Sequence, residues 1–259
     1  MSNAVYAERK NGIATVVLNR PDKLNAMDGA SWLLLGKVIA DLDADDEIRC
    51  VVIRGVDNRA FSAGSDISVW AEQRTTPEDV RKYSKDMEDS LDAVFSCRHP
   101  VVAAISGVCM GGGILIASTC DIRICAESTR FGVPINRLGM TVSYAELRTL
   151  SRIITPSAAL EILLEGNVFG AEHAKELGLV NRLVPDADVE NEAYALAEKI
   201  SERAPLVNRW HKKFIHRLMD QTPLTEEELE EGHAAFETED YQTGYRAFLD
   251  KKKATFKGR

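Results

Sequence analysis

The sequence predicts one α/β unit that runs into a helical final third, and three observations carry that expectation. Short β-branched runs recur, amphipathic stretches of helical period lie between them, and from about Pro156 onward helical patterns dominate. With 259 residues, 45% of them hydrophobic and 28% charged, the chain can bury a substantial core.

The strand runs are residues 14–18 (ATVVL), 50–54 (CVVIR), 101–105 (VVAAI), 122–125 (IRIC) and 180–184 (VNRLV). Their length and near-continuous apolar character suit strands buried on both faces. Helical periodicity marks residues 28–43, with Trp32, Leu33, Leu35, Val38, Ile39 and Leu42 apolar, and residues 77–95, with Val80, Tyr83, Met87, Leu91 and Val94 apolar. Beyond Pro156 the expected helices are 157–164, 171–177, 188–203, 205–219 and 225–253, with Pro205 and Pro223 as punctuation. Residues 1–195 read as the sheet-forming core and 196–259 as a helical C-terminal region of the same structural unit.

Lys plus Arg total 32 against 40 for Asp plus Glu, a formal net charge of -8. That balance argues against nucleic-acid and anionic-membrane partners, which need a strong basic field. The start, MSNAVYAERKNG, lacks a basic stretch followed by an apolar block, and no run reaches the ~18 apolar residues of a membrane span. Five cysteines in apolar surroundings with no CxxC spacing read as reduced, packed thiols, and the expected compartment is the cytoplasm. The five histidines show no metal-ligand spacing. Residues 211–217 (HKKFIHR) read as an exposed amphipathic helix face, with contact to an anionic partner as the alternative, and the acidic cluster 226–231 as solvated.

Two glycine-containing turns each follow a strand run and precede a helical one: FSAGSDI at residues 61–67 and GVCMGGGI at 107–114. Adjacent glycines weaken a helix, so they serve tight turning or close backbone approach. At a helix start they also leave N–H groups unpaired. Two such turns brought together offer converging donors of the kind that stabilise an oxyanion; simple close packing is the alternative. No GxGxxG and no Walker lysine supports a nucleotide-phosphate loop.

These turns, together with LNRP and LNA at residues 18–26, CDI at 120–122, FGVP at 131–134, AKELGLV at 174–180 and the C-terminal AFLDKKKATF, stand in one order. In them the chain resembles the enoyl-CoA hydratase/isomerase (crotonase) family over essentially its whole length. The resemblance implies a crotonase-like spiral of repeated ββα units followed by a helical trimerisation region, assembled as a homotrimer or a dimer of trimers. It implies an acyl-CoA thioester substrate, with coenzyme A part of that substrate and neither a separate cofactor nor a metal. The thioester carbonyl would be polarised by the backbone N–H groups of Ser65 and Gly112. Lys23, Leu24 and Ala26 would lie along the CoA moiety, with Ala63, Asp66 and Ile67 lining the same channel. Phe248 and Lys251 from a neighbouring subunit would cover the nucleotide end. Arg59 is either a further phosphate contact or a solvated arginine, and Asp66 either a catalytic carboxylate or a helix cap.

Hydratases of the family carry two glutamates that activate water; the matching positions here are Leu115 and Ile135. The position that carries an acid in other relatives is Ser143. Loss of general acid/base groups worth about 10² to 10⁴ each in rate weakens the case for water addition. Leu115, Ile135, Met110 and Trp70 would make the reacting end apolar, a setting suited to enolate chemistry such as double-bond migration or decarboxylation. Tyr144 or Glu146 would then move the proton, unless Tyr144 only closes the pocket and Glu146 sits on a solvated face. A catalytically silent acyl-CoA binder is the remaining alternative.

Overall fold

A computed structural model describes residues 3–259, so the first two residues of the stretch read for a leader, Met1 and Ser2, lie outside the described residues. In chain order the elements are β1 (Val5–Lys10), β2 (Ile13–Leu18), α1 (Gly29–Asp43), β3 (Cys50–Gly55), β4 (Ala60–Ser62), α2 (Trp70–Gln73), α3 (Pro77–Ser96), β5 (Val101–Ile105) and β6 (Val108–Met110). They continue with α4 (Gly112–Thr119), β7 (Ile122–Ala126), β8 (Arg130–Gly132), α5 (Tyr144–Ser151), α6 (Pro156–Glu165), β9 (Val168–Gly170), α7 (Ala171–Glu176) and β10 (Arg182–Val184). The chain ends in α8 (Val189–Ser201), α9 (Pro205–Arg217), α10 (Glu226–Glu231) and α11 (Glu239–Leu249).

Among the described residues ten strands form two sheets. The larger has the order β1-β2-β3-β5-β7-β10 and is parallel except for the β1–β2 pair. The smaller, β4-β6-β8-β9, is parallel except at β8–β9. Successive turns of chain place one strand in each sheet, β3 then β4, β5 then β6, β7 then β8, with helices returning between them. This is the repeated ββα spiral that the resemblance implies.

Alternation along each parallel strand sorts its side chains onto two faces. Val51, Ile53, Val101, Ala103 and Ile105 join the main core with the stripes of α1 and α3, while Cys50, Val52, Val102 and Ala104 pack under Val189, Ala193, Leu196 and Ala197 of α8. Both faces are covered, which is why these strands read as unbroken apolar runs. The expected boundary after residue 195 falls inside α8. All eight residues of α4 are buried, so the helix that follows the glycine triplet sits in the core rather than on it.

The expected helix over 225–253 is instead three pieces. The α10 helix starts on a Thr225/Glu228 capping box and ends at Gly232, a 3₁₀ turn spans Ala234–Glu237, and Thr238 caps α11 through the Tyr241 amide. New caps interrupt a pattern that apolar periodicity alone joins together. Nor is residues 211–217 a freely solvated face. The Lys212 side chain is 7% exposed, pairs with Asp121 at 2.9 Å and donates to the His99 carbonyl, while Lys213 and Arg217 pair with Glu231 and Glu228 of α10. All five cysteines are buried and free. Burial pushes the thiols of Cys50, Cys120 and Cys125 up to about 12 and that of Cys97 to about 11. Among the described residues no helix is long and apolar enough to cross a membrane, and no cluster of metal-ligating side chains occurs.

Candidate active site

The first glycine turn is pinned by the loop that precedes α1. Ala63 N donates to Leu24 O, Met27 N to Gly64 O and Asp66 N to Met27 O. Asn25 reaches from that loop to the Ala60 carbonyl at 2.8 Å, and Ser62 Oγ donates to the Asn25 carbonyl and accepts from Gly64 N. Leu24 and Asn25 both hold positive φ, 49° and 56°, a conformation that the surrounding hydrogen bonds fix. Arg20 ties the loop to the turn through Asp66 at 2.9 Å and Asp28 at 3.1 Å.

Asp66 is committed by these contacts. Its side chain caps the turn after it by accepting from Ser68 N. Burial opposes its ionisation, but the hydrogen bonds from Ser68 and Arg20 outweigh that and hold the carboxyl below its ordinary value. It is an ionised structural anion rather than a proton donor.

The second turn meets the first through two close approaches. A Cβ on Gly64, whose φ is +91°, would lie 2.7 Å from the Met110 carbonyl oxygen and 2.9 Å from the Gly112 nitrogen. A Cβ on Gly113 would lie 2.3 Å from the Ser62 carbonyl oxygen. No side chain fits at either point, so glycine sets how near the turns come. Gly112 opens α4, its N–H has no place in the helical ladder, and among the described residues neither it nor the Ser65 amide donates to a backbone carbonyl.

A cavity of about 510 Å³ has Ser65 and Gly112 in its lining. Its lining includes nine of the sequence-selected residues: Ala63, Ser65, Ile67, Trp70, Met110, Gly112, Leu115, Ile135 and Glu146. Lys23, Leu24, Ala26 and Asp66 stand behind or beside the first turn rather than in the lining. Lys23 donates to Ser68 Oγ at 3.3 Å. Tyr144 is 92% exposed and outside the lining, and Ser143, not Tyr144, faces the cavity. Phe248, 82% exposed, and Lys251 lie at the end of α11, also outside it. Arg59 pairs with Asp57 at 2.8 Å on the surface.

Over its full length the chain matches known proteins. The family model described as enoyl-CoA hydratase/isomerase matches residues 8–259. The chain belongs to the enoyl-CoA hydratase/isomerase family. It is 33% identical over 254 residues to the short-chain-enoyl-CoA hydratase of Clostridium acetobutylicum, covering 97% of this chain and 96% of that one. It is 30% identical to the carnitinyl-CoA dehydratase of Escherichia coli across the whole of both chains. A solved enoyl-CoA hydratase/carnithine racemase from Magnetospirillum magneticum superposes with a TM-score of 0.97 at 42% identity, over 100% of this chain and 97% of that one.

Within this family member the polar inventory of the cavity is short. Arg74 and Glu146 are the charged residues of the lining. Glu146 forms a capping box with Ser143: its Oε2 accepts from the Ser143 amide at 2.7 Å, while Ser143 Oγ accepts from the Glu146 amide and donates to Glu88. The cap orients one carboxylate oxygen, and among the described residues Oε1 has no hydrogen-bond partner. Sequence reasoning passed over Arg74, because an arginine four residues after Trp70 in a polar stretch reads as solvated. It also passed over Trp32 as anything but core, although that ring supports Gly112 from below, 3.0 Å from the position of a Cβ there.

Proposed function

We propose that this protein binds an acyl-CoA thioester and stabilises its enolate with the Ser65 and Gly112 amides, catalysing double-bond migration or decarboxylation rather than water addition. The observation that carries the reading is the close approach of the two glycine turns at Gly64 and Gly112, with Ser65 and Gly112, whose amides among the described residues donate to no backbone carbonyl, both lining one cavity. The walls beside them are Leu115 and Ile135, the positions where the family resemblance expects water-activating carboxylates.

Glu146 is the carboxylate available in the lining. In a 3-enoyl substrate its Oε1 takes a proton from the carbon beside the carbonyl, the electron pair passes to the carbonyl oxygen held by the two amides, and return of the proton two carbons further along completes the shift. The Ser143 amide on Oε2 fixes the orientation of the carboxylate. Trimeric assembly belongs to the same reading: Ile215, Leu218, Leu229, Phe236, Phe248 and Leu249 expose apolar surface on the C-terminal helical region, and a neighbouring subunit would bring Phe248 and Lys251 to the nucleotide.

Purified protein assayed with crotonyl-CoA, a 3-enoyl-CoA and a malonyl-type CoA, beside direct thioester binding, tests this. Turnover of the second or third with slow hydration of the first is expected. Rapid hydration of crotonyl-CoA overturns it, and tight binding without turnover of any makes the protein a silent binder.

A further inference from the structure

We infer that the acyl group accepted by this cavity ends in a carboxylate held by Arg74, an inference that rests on the acyl-CoA reading above. The Arg74 guanidinium lies between two aromatic rings, 4.1 Å from the centroid of Trp70 and 4.1 Å from that of Tyr83. With two aromatic rings stacked against its carbon, the guanidinium has its N–H groups left for a partner.

Arg74 Nε and the neighbouring Trp70 Nε1 are both buried without a hydrogen-bond partner, and among the described residues no ion pair reaches Arg74. The surrounding donors are not neglected in the same way: Trp32 Nε1 donates to Tyr83 OH at 3.2 Å, and Tyr83 OH donates to the Met27 carbonyl at 3.0 Å. Two adjacent donors withdrawn from water and left unpaired are unfavourable, and both belong to residues that line the cavity. A carboxylate matches the planar fork of a guanidinium.

The position suits the far end of a short acyl chain. Trp32 packs under Gly112 and bonds to Tyr83, so two aromatic side chains separate the oxyanion donor from the guanidinium. Glu146, the other charged residue of the lining, is engaged with Ser143 and leaves Arg74 free for a ligand. The same cation opposes acyl groups that carry a positive charge.

Calorimetric titration of the full-length protein with glutaryl-CoA and valeryl-CoA, equal in acyl length and differing in the terminal carboxylate, decides the matter. Glutaryl-CoA is expected to bind about tenfold or more tightly, as one charge-assisted pair provides. Arg74→Met is expected to bring the ratio to within about twofold, and Arg74→Lys to leave it between the two, since the charge stays and the fork is lost. Equal affinities in the wild type, or an equal loss for both ligands in Arg74→Met, which is what a purely structural stacking role gives, overturns the inference while leaving acyl-CoA binding intact. The wild-type ratio needs no variant to fold. Binding of neither thioester refutes the acyl-CoA reading itself and this inference with it.

Discussion

Gly64→Ala is the substitution through which the account is most exposed. The added methyl carbon would stand 2.7 Å from the Met110 carbonyl oxygen and 2.9 Å from the Gly112 nitrogen, both main-chain atoms that cannot swing aside. Either the two turns separate or the Gly112 amide rotates away from the cavity. Alanine at a φ of +91° adds backbone strain of about 1–3 kcal/mol. Loss of one oxyanion donor costs about 10² to 10³ in kcat, or about 2.7–4 kcal/mol. The donors act most strongly on the charge that develops in the enolate, so kcat falls far more than thioester affinity does. Steady-state kinetics on the thioester that the wild type turns over, with a binding titration and a melting curve on the same preparation, measure all three quantities. A cooperatively folded Gly64→Ala protein that keeps kcat within about threefold of wild type would refute the reasoning, because its turns would then meet without serving the reaction.

Three further outcomes are expected. Glu146→Gln lowers kcat by about 10² to 10⁴ with a small change in melting temperature, since glutamine still accepts from the Ser143 amide; wild-type turnover would remove Glu146 from the mechanism. Leu115→Glu combined with Ile135→Glu raises hydration of crotonyl-CoA, read as loss of enoyl absorbance, and lowers the melting temperature because Leu115 is 6% exposed. His99 is fully buried, and burial with the nearby Arg209 and Arg98 lowers its pKa from 6.5 to about 4. Above pH 6.5 it is neutral in folded and unfolded chains alike; as the pH falls from 6.5 towards 4 the unfolded chain binds the proton first and stability declines, by up to about 3 kcal/mol. Denaturant titrations across that range check this, and a His99→Gln protein with an equally steep decline would contradict it.

The two-faced burial of the parallel strands made β2, β3, β5 and β7 readable, since a strand covered on both sides shows as an apolar run whatever its neighbours. β1 escaped notice because only Val5 of VYAERK is buried on that edge. The strands of the second sheet have three residues each, too few to show a period of two. In the site, the close approach of the glycine turns was legible because each turn stands between a strand run and a helical run, where a side chain would collide with the facing backbone. The partition of the acidic and hydroxyl groups around α5 was not: Tyr144 and Ser143 are neighbours in sequence, yet the N-cap places Ser143 towards the cavity and leaves Tyr144 outside it. Arg74 was illegible for a related reason, since its setting between Trp70 and Tyr83 depends on how α2 packs against α3. Lys212 likewise turns inward only because Asp121 and the His99 carbonyl wait beneath α9.

The central claim is the grip of two main-chain amides on one thioester oxygen, and a structure of the protein with a non-reactive acyl-CoA thioester tests it most directly. The account predicts the carbonyl oxygen within about 3 Å of both Ser65 N and Gly112 N, with the acyl chain along Leu115 and Ile135. A thioester oxygen bound elsewhere, or either amide turned to an internal carbonyl, would contradict it.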